Sequence, residues 1–238
     1  MSAFLLIPGA GGAGWYWHLV AQRLRDAGHV ATAVDLPADD PEAGLSAYAD
    51  LAVAAADGHE ELVVGAQSMG AFTAVPVCGR VAVRRLVLLN AMVPAPGETA
   101  GDWWENTGSQ QARRAAARAG GYAQDVDLQT YFLHDVPADV AAQGAEHQRD
   151  EADIAFEEPC PFTSWPAVPT TVLAGRDDRF FPLEFQRRVA RERLAVEAQP
   201  LPGGHLNALS RPDAVTGALL AAAATDADAP APHGARRR

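Results

Sequence analysis

Leu62-Val63-Val64-Gly65-Ala66-Gln67-Ser68-Met69-Gly70 is the stretch on which the reading of this chain turns. Three β-favouring apolar residues predict a buried strand, and the helix-like run at 71–78 follows after only a few residues. A serine on so sharp a strand-to-helix turn has its hydroxyl lifted clear of the sheet. The same turn sets the next backbone N–H beside the serine and aims a helix N-terminus at any negative charge that develops there. Small neighbours are needed because strand and helix pass close together. Gly70 fits that need, and Ala66 stands where the pattern prefers glycine. The plainer reading is an ordinary glycine-rich turn, so the serine requires partners before it means anything chemically.

Working outward, residues 4–7 read as a buried strand ending at Pro8 and a glycine-rich loop, and 15–27 as an amphipathic helix stopped by Gly28. A strand at 30–34, a helix at 46–57, the strand before Ser68, and a strand at 85–89 follow. Pro76 cannot donate to the carbonyl of Phe72 and should kink or shorten the helix after Ser68. From Val93 to about Pro169 the character changes to alanine-rich and charged stretches holding Trp103, Trp104, Tyr122, Tyr131, Phe132 and Trp165, a helical insertion. The strand pattern resumes at 170–174. A helix begins near Pro182, a last strand falls around 194–198, and a closing helix runs from Pro212 to about Ala224. Residues 225–238 read as a disordered tail. Strands alternating with helices predict an α/β fold with a mostly parallel sheet of about six strands, covered on both faces, and functional groups on loops at the strands' C-terminal ends.

A serine hydroxyl is a poor nucleophile until a base takes its proton, and an acid must hold that base in one tautomer. Asp178, in Gly175-Arg176-Asp177-Asp178-Arg179, lies just beyond one strand, and His205, in Gly203-Gly204-His205, just beyond the last. Singly these are a helix cap and a turn residue, but serine, acid and histidine in this order, each after its own strand, form a catalytic set. Asp177 stays open as the alternative acid. The remaining histidines fall near helices or turns, in the insertion, or in the tail. A competing signal lies in Gly9-Ala10-Gly11-Gly12-Ala13-Gly14, which satisfies G-x-G-x-x-G, with Asp35 placed as a ribose-binding acid. Against a dinucleotide stand the bulk of Pro8 and Trp15-Tyr16-Trp17 and the partners available to Ser68.

On these residues the chain resembles the α/β-hydrolase superfamily from about residue 4 to 224. The resemblance favours Asp178 over Asp177 and gives the glycine-rich loop another purpose. It implies an oxyanion hole made by the N–H of Met69, after the nucleophile, and that of Ala10, in the first strand's loop. Residues 4–36, with a Gly-Ala loop, Trp15-Tyr16-Trp17 and Ala27-Gly28-His29, look most like the branch of small methyl esterases and hydroxynitrile lyases. The lyases' threonine and lysine positions hold Gly9 and Leu206, so the resemblance implies hydrolysis. The insertion, about 94–168, corresponds to that family's cap, within a single domain at 1–224. Any one of its aromatic residues either lines a pocket or packs the cap onto the sheet.

Composition narrows the function further. A formal charge of −11 argues against a nucleic-acid partner. Every basic side chain is arginine, which excludes a Schiff-base lysine and a phosphate-binding P-loop. Cys78 and Cys160 have no metal-ligand spacing and read as packing residues. No apolar run is long enough to cross a membrane and no signal-peptide layout is present, which predicts a cytoplasmic protein. The expectation is a serine hydrolase of small carboxylic esters, thioesters or lactones, with a small-molecule substrate and no metal or organic cofactor. The alternatives are non-hydrolytic chemistry by the same triad and a ligand-binding protein with little turnover.

Overall fold

A short extended run cannot satisfy its backbone groups alone, and here six such runs, the central ones largely buried, pair into one sheet. The computed structural model describes residues 1–56, 58, 59 and 61–225. The strands are β1 (Ala3–Ile7), β2 (Val30–Ala33), β3 (Leu62–Gln67), β4 (Val83–Leu89), β5 (Thr170–Gly175) and β6 (Gln199–Leu201). They run in the order β2-β1-β3-β4-β5-β6, and every pair is parallel. β6 is an outer strand of three residues with Pro200 at its centre. Among the described residues no helix is long and apolar enough to cross a membrane.

Alternation along each strand sends side chains to opposite faces. Leu5, Ile7, Val64, Leu86, Leu88 and Val172 share one core with helices α2 (Leu45–Ala55), α3 (Gly70–Cys78) and α9 (Leu183–Leu194). Phe4, Leu6, Val63, Val87 and Leu173 share the other with α1 (His18–Asp26) and α11 (Pro212–Ala224). Trp17 is fully buried there, where an aromatic ring of that size contributes about 2–3 kcal/mol, and its Nε1–H donates to the Ile7 carbonyl at 3.0 Å. Between β4 and β5 the chain forms helices α4 (Ala100–Thr107), α5 (Ser109–Gly120), α6 (Leu128–Tyr131), α7 (Ala138–Gly144) and α8 (Asp153–Glu157).

The strand order decides where a site can lie. From β1 the chain goes outward to β2 and then returns past β1 to β3, so the loops after β1 and β3 leave neighbouring strands in opposite directions. That divergence is the crevice in which parallel sheets bind ligands. The register pairs Ile7 with Ala66 and thereby sets residues 8–12 beside Ser68.

Several local expectations are corrected. The helix expected over 15–27 opens as a 3₁₀ turn (Gly14–Trp17) before α1. The strand expected at 194–198 lies instead at Gln199–Leu201. Leu194 closes α9, Ala195 takes a left-handed φ of 55°, and the buried Leu194 and Ala198 pack as a helix end and as the lead into β6. A short helix, α10 (Asn207–Ser210), follows the histidine loop without having been anticipated. α3 does stop two residues after Pro76, and the Phe72 carbonyl that the proline cannot serve accepts from the Cys160 thiol at 3.3 Å. Burial pushes the Cys160 pKa up to about 12, so the sulfur keeps the proton it donates. The tail expected at 225–238 lies, beyond Thr225, outside the described residues.

Candidate active site

Ser68 directly follows β3 with a φ of 53°, a left-handed conformation that costs a non-glycine residue about 1–3 kcal/mol and persists only where its surroundings enforce it. They do so on both sides. The Ser68 N–H donates to the Leu89 carbonyl at 3.1 Å, and its carbonyl accepts from Met92 at 3.0 Å. α3 starts immediately at Gly70, where a Cβ would run into the carbonyl oxygens of Ile7 and Pro8. Glycine there lets the helix pass against the end of β1. Ala66, at the position where the motif prefers glycine, is completely buried in the same core as Phe72, so its methyl group is absorbed by packing.

His205 reaches the serine from the turn after β6. Its Nε2 lies 3.1 Å from Ser68 Oγ, and its Nδ1 lies 2.9 Å from Asp178 Oδ2. A carboxylate only accepts, so Nδ1 carries the proton and Nε2 is left to receive one from the serine. All three residues are buried, Ser68 to 8%, Asp178 to 5% and His205 to 2% exposure. Asp178 is fixed in turn: Oδ1 accepts from the N–H groups of Phe180 and Phe181, each at 2.8 Å, and Oδ2 from Gln186 Nε2 at 3.2 Å. Phe132, Phe180 and Phe181 meet the imidazole edge-on at centroid distances of 5.1–5.4 Å. They leave the ring no room to turn. Asp177 faces away and accepts from the Gly203 N–H at 3.2 Å.

The histidine loop hangs on a residue the sequence did not single out. Asn90, fully buried at the end of β4 with φ 47°, donates through Nδ2 to the carbonyls of Gly204 and His205 and accepts at Oδ1 from the Gly175 N–H at 2.7 Å. Gln67 also donates to the His205 carbonyl, at 3.2 Å. A buried asparagine directly after a strand was the available signal, since asparagine tolerates the left-handed region better than most residues.

A cavity of about 340 Å³ opens over Ser68. Met69, Met92, Trp104, Leu128, Phe132, Phe156 and Phe180 give it an apolar wall, and Tyr16 and residues 148–151 a polar one. Gly9, Ala10 and Gly11 line it beside the serine, and among the described residues the N–H groups of Ala10 and Met69 donate to no protein acceptor. Of the insertion's aromatic residues, Trp104, Phe132 and Phe156 face this space. Trp103 and Tyr131 are wholly buried and pack. Three further donors of the glycine-rich loop are used inside the protein: Gly11 on Glu151 at 2.7 Å, Gly12 on the Gly9 carbonyl at 3.1 Å and Gly14 on Asp35 at 3.0 Å. Asp35, the residue a ribose would need, also pairs with Arg149 at 3.3 Å. No group of three or more histidine, cysteine or acidic side chains suited to a metal occurs among the described residues.

A family model described as the alpha/beta hydrolase family matches residues 4–218. No curated protein matches the chain by sequence. Among solved structures, polyneuridine aldehyde esterase superposes with a TM-score of 0.76 at 18% identity, covering 93% of this chain and 98% of that one. A methylesterase from Arabidopsis gives 0.74 at 17% identity over 94% and 99%. A pyrethroid hydrolase from Sphingobium faniae gives 0.74 at 22% identity over 96% and 98%. At such identities the likeness establishes the fold.

Proposed function

This chain belongs to the alpha/beta hydrolase family, and from that premise we propose that it is a serine hydrolase of a small, uncharged carboxylic ester, thioester or lactone. The observation that carries the reading is the unbroken chain Ser68 Oγ, His205, Asp178 at 3.1 and 2.9 Å, buried beneath a largely apolar cavity. The names of the structural neighbours, an esterase, a methylesterase and a hydrolase, accord with it.

Ser68 Oγ attacks the ester carbonyl carbon as its proton passes to His205 Nε2. Asp178 stabilises the imidazolium that forms. The N–H groups of Ala10 and Met69 hold the tetrahedral oxyanion, a function that needs backbone donors and no particular side chain. Collapse of this intermediate breaks the bond to the alcohol, which leaves with the proton from His205. Water, deprotonated by the same histidine, then attacks the acyl-enzyme, and the acid departs as Ser68 regains its proton. Residues 94–168 act as a cap on a single domain spanning 1–224, and their apolar side chains select the substrate by shape.

Ser68→Ala tests the proposal. Hydrolysis of a short-chain aryl ester should fall by about 10⁴-fold or more, and labelling by a fluorophosphonate should vanish. Retention of full activity by Ser68→Ala would overturn the mechanism.

A further inference from the structure

Glu151 takes no part in the chemistry above, yet its carboxylate lies in the wall of the cavity, between the glycine-rich loop and α2. Oε2 accepts from the Gly11 N–H and Oε1 from the Tyr48 hydroxyl, both at 2.7 Å. These partners lie 140 and 103 residues away in sequence. Burial raises the pKa of Glu151 against the opposing effects of Tyr48, Gly11 and Arg149, so holding a charge at this point carries a cost. Burial and the neighbouring Glu151 raise the pKa of Tyr48, which stays a donor at any physiological pH.

The Gly11 N–H belongs to a tight turn. Gly12 N–H donates to the Gly9 carbonyl at 3.1 Å, and Gly11 has φ 83°, as the third position of a type II turn requires. The Gly11 N–H belongs to the peptide next to the one that carries the Ala10 N–H, so an acceptor that pins Gly11 restrains the backbone torsions at Ala10 and with them the direction of its N–H. The Glu151 carboxyl group, itself anchored by the buried Tyr48 hydroxyl, is that acceptor and holds the turn in place. The surrounding strap is seated by further contacts. His147 stacks on Trp15 at 4.8 Å, Arg149 pairs with Asp35, and the Ala152 N–H donates to the Ala38 carbonyl at 2.7 Å.

We propose that Glu151 is a positioning residue for the oxyanion hole, fixing the Gly9–Gly12 turn so that the Ala10 N–H faces the reacting carbonyl. This rests on the reading of Ala10 as an oxyanion donor. Because Glu151 belongs to the segment that walls the cavity, seating of that segment and completion of the hole are one event.

The test is steady-state hydrolysis of a short-chain aryl ester by Glu151→Ala, Glu151→Gln and Tyr48→Phe, with thermal melts to establish folding. Glu151→Ala should lower kcat by about 10- to 100-fold, less than the 10²–10³ lost with a whole oxyanion donor. KM should stay within roughly twofold, since the interaction lost is made only in the transition state. Affinity for a trifluoromethyl ketone should fall by the same factor as kcat/KM. Glu151→Gln, which keeps an acceptor, should recover most of the rate, and Tyr48→Phe should give a smaller fall in kcat of the same kind. A loss confined to KM, or unchanged kcat in all three variants, would overturn the proposal. Should Glu151→Ala fail to fold, unchanged kcat in the other two would do so. Ser68→Ala keeps the two ideas apart: a serine-independent activity removes the hydrolase mechanism itself, whereas serine-dependent activity indifferent to Glu151 removes only the positioning role.

Discussion

Asp177 and Asp178 share a loop and a charge but face different partners. Asp178 has both oxygens occupied by groups that aim it at His205, while Asp177 steadies the turn at Gly203. Asp178→Asn should therefore lower kcat/KM by about 10²–10⁴-fold, since an amide presents a donor to Nδ1 and favours the wrong tautomer. Asp177→Asn should leave kcat/KM within a few-fold and cost about 1 kcal/mol of stability in a denaturant titration. Equal losses from both would contradict the assignment. The sequence had left this choice open until a family resemblance favoured Asp178, because loop spacing says which residues follow a strand and not which carboxylate turns inward. The meeting of Ser68 and His205 was legible because both follow strand ends on the same edge of the sheet, where a proposed nucleophile and base must stand. Asn90, Tyr48 and Glu151 were not. Their roles arise from approach across the fold, which leaves no mark in local pattern.

Among the elements, α3 is the one whose sequence contradicts its form. Pro76 removes a donor from the helix, and the thiol of Cys160 takes over the Phe72 carbonyl from the far side of the insertion. Cys160→Ala should destabilise the protein by about 1–2 kcal/mol, the cost of an unsatisfied buried acceptor. In a Pro76→Ala background, where residue 76 again has an N–H, the same change should cost about 0.5–1 kcal/mol less. Additive losses in a double-mutant cycle by urea unfolding would rule out this coupling. Both cysteines had been read as packing residues, and for Cys160 that was incomplete: no spacing rule links position 160 to position 72. The strands were legible wherever a run was buried on both faces, as at 62–67 and 170–175. The last one slipped because Leu194, Val196 and Ala198 show an apolar alternation that serves a helix end.

Across the whole molecule, the segment that leaves β4 is pinned back to α9 by Glu98 and Arg193. Two of their contacts measure 2.5 and 2.8 Å, and the Glu98 side chain is only 4% exposed. Burial opposes the charge on Glu98, but hydrogen bonds from Arg193, Asn106 and Ala95 outweigh it and hold its pKa below the usual 4.5. A depressed carboxylate contributes its stability in full above the unfolded-state value and loses it as pH falls through the folded one. Glu98→Gln should thus cost roughly 3 kcal/mol at pH 7, with the arginine left without its counter-charge. The gap in Tm between variant and parent should narrow as pH falls from the usual carboxylate range through the lowered pKa of Glu98. A gap independent of pH would show that the ion pair contributes nothing as a charge. The insertion's helical character was readable from composition, but its shape was not, since α4 to α8 are arranged by such long-range anchors more than by their own patterns.

β6 has a bearing on how copies of this chain behave when crowded. A parallel sheet invites growth at its flanks, where unpaired backbone groups template the addition of a foreign strand. Here that flank is three residues long, and Pro200 at its centre has no N–H to offer. The chain that carries His205 into place thus also closes the sheet to cross-β aggregation on the side nearest the histidine loop.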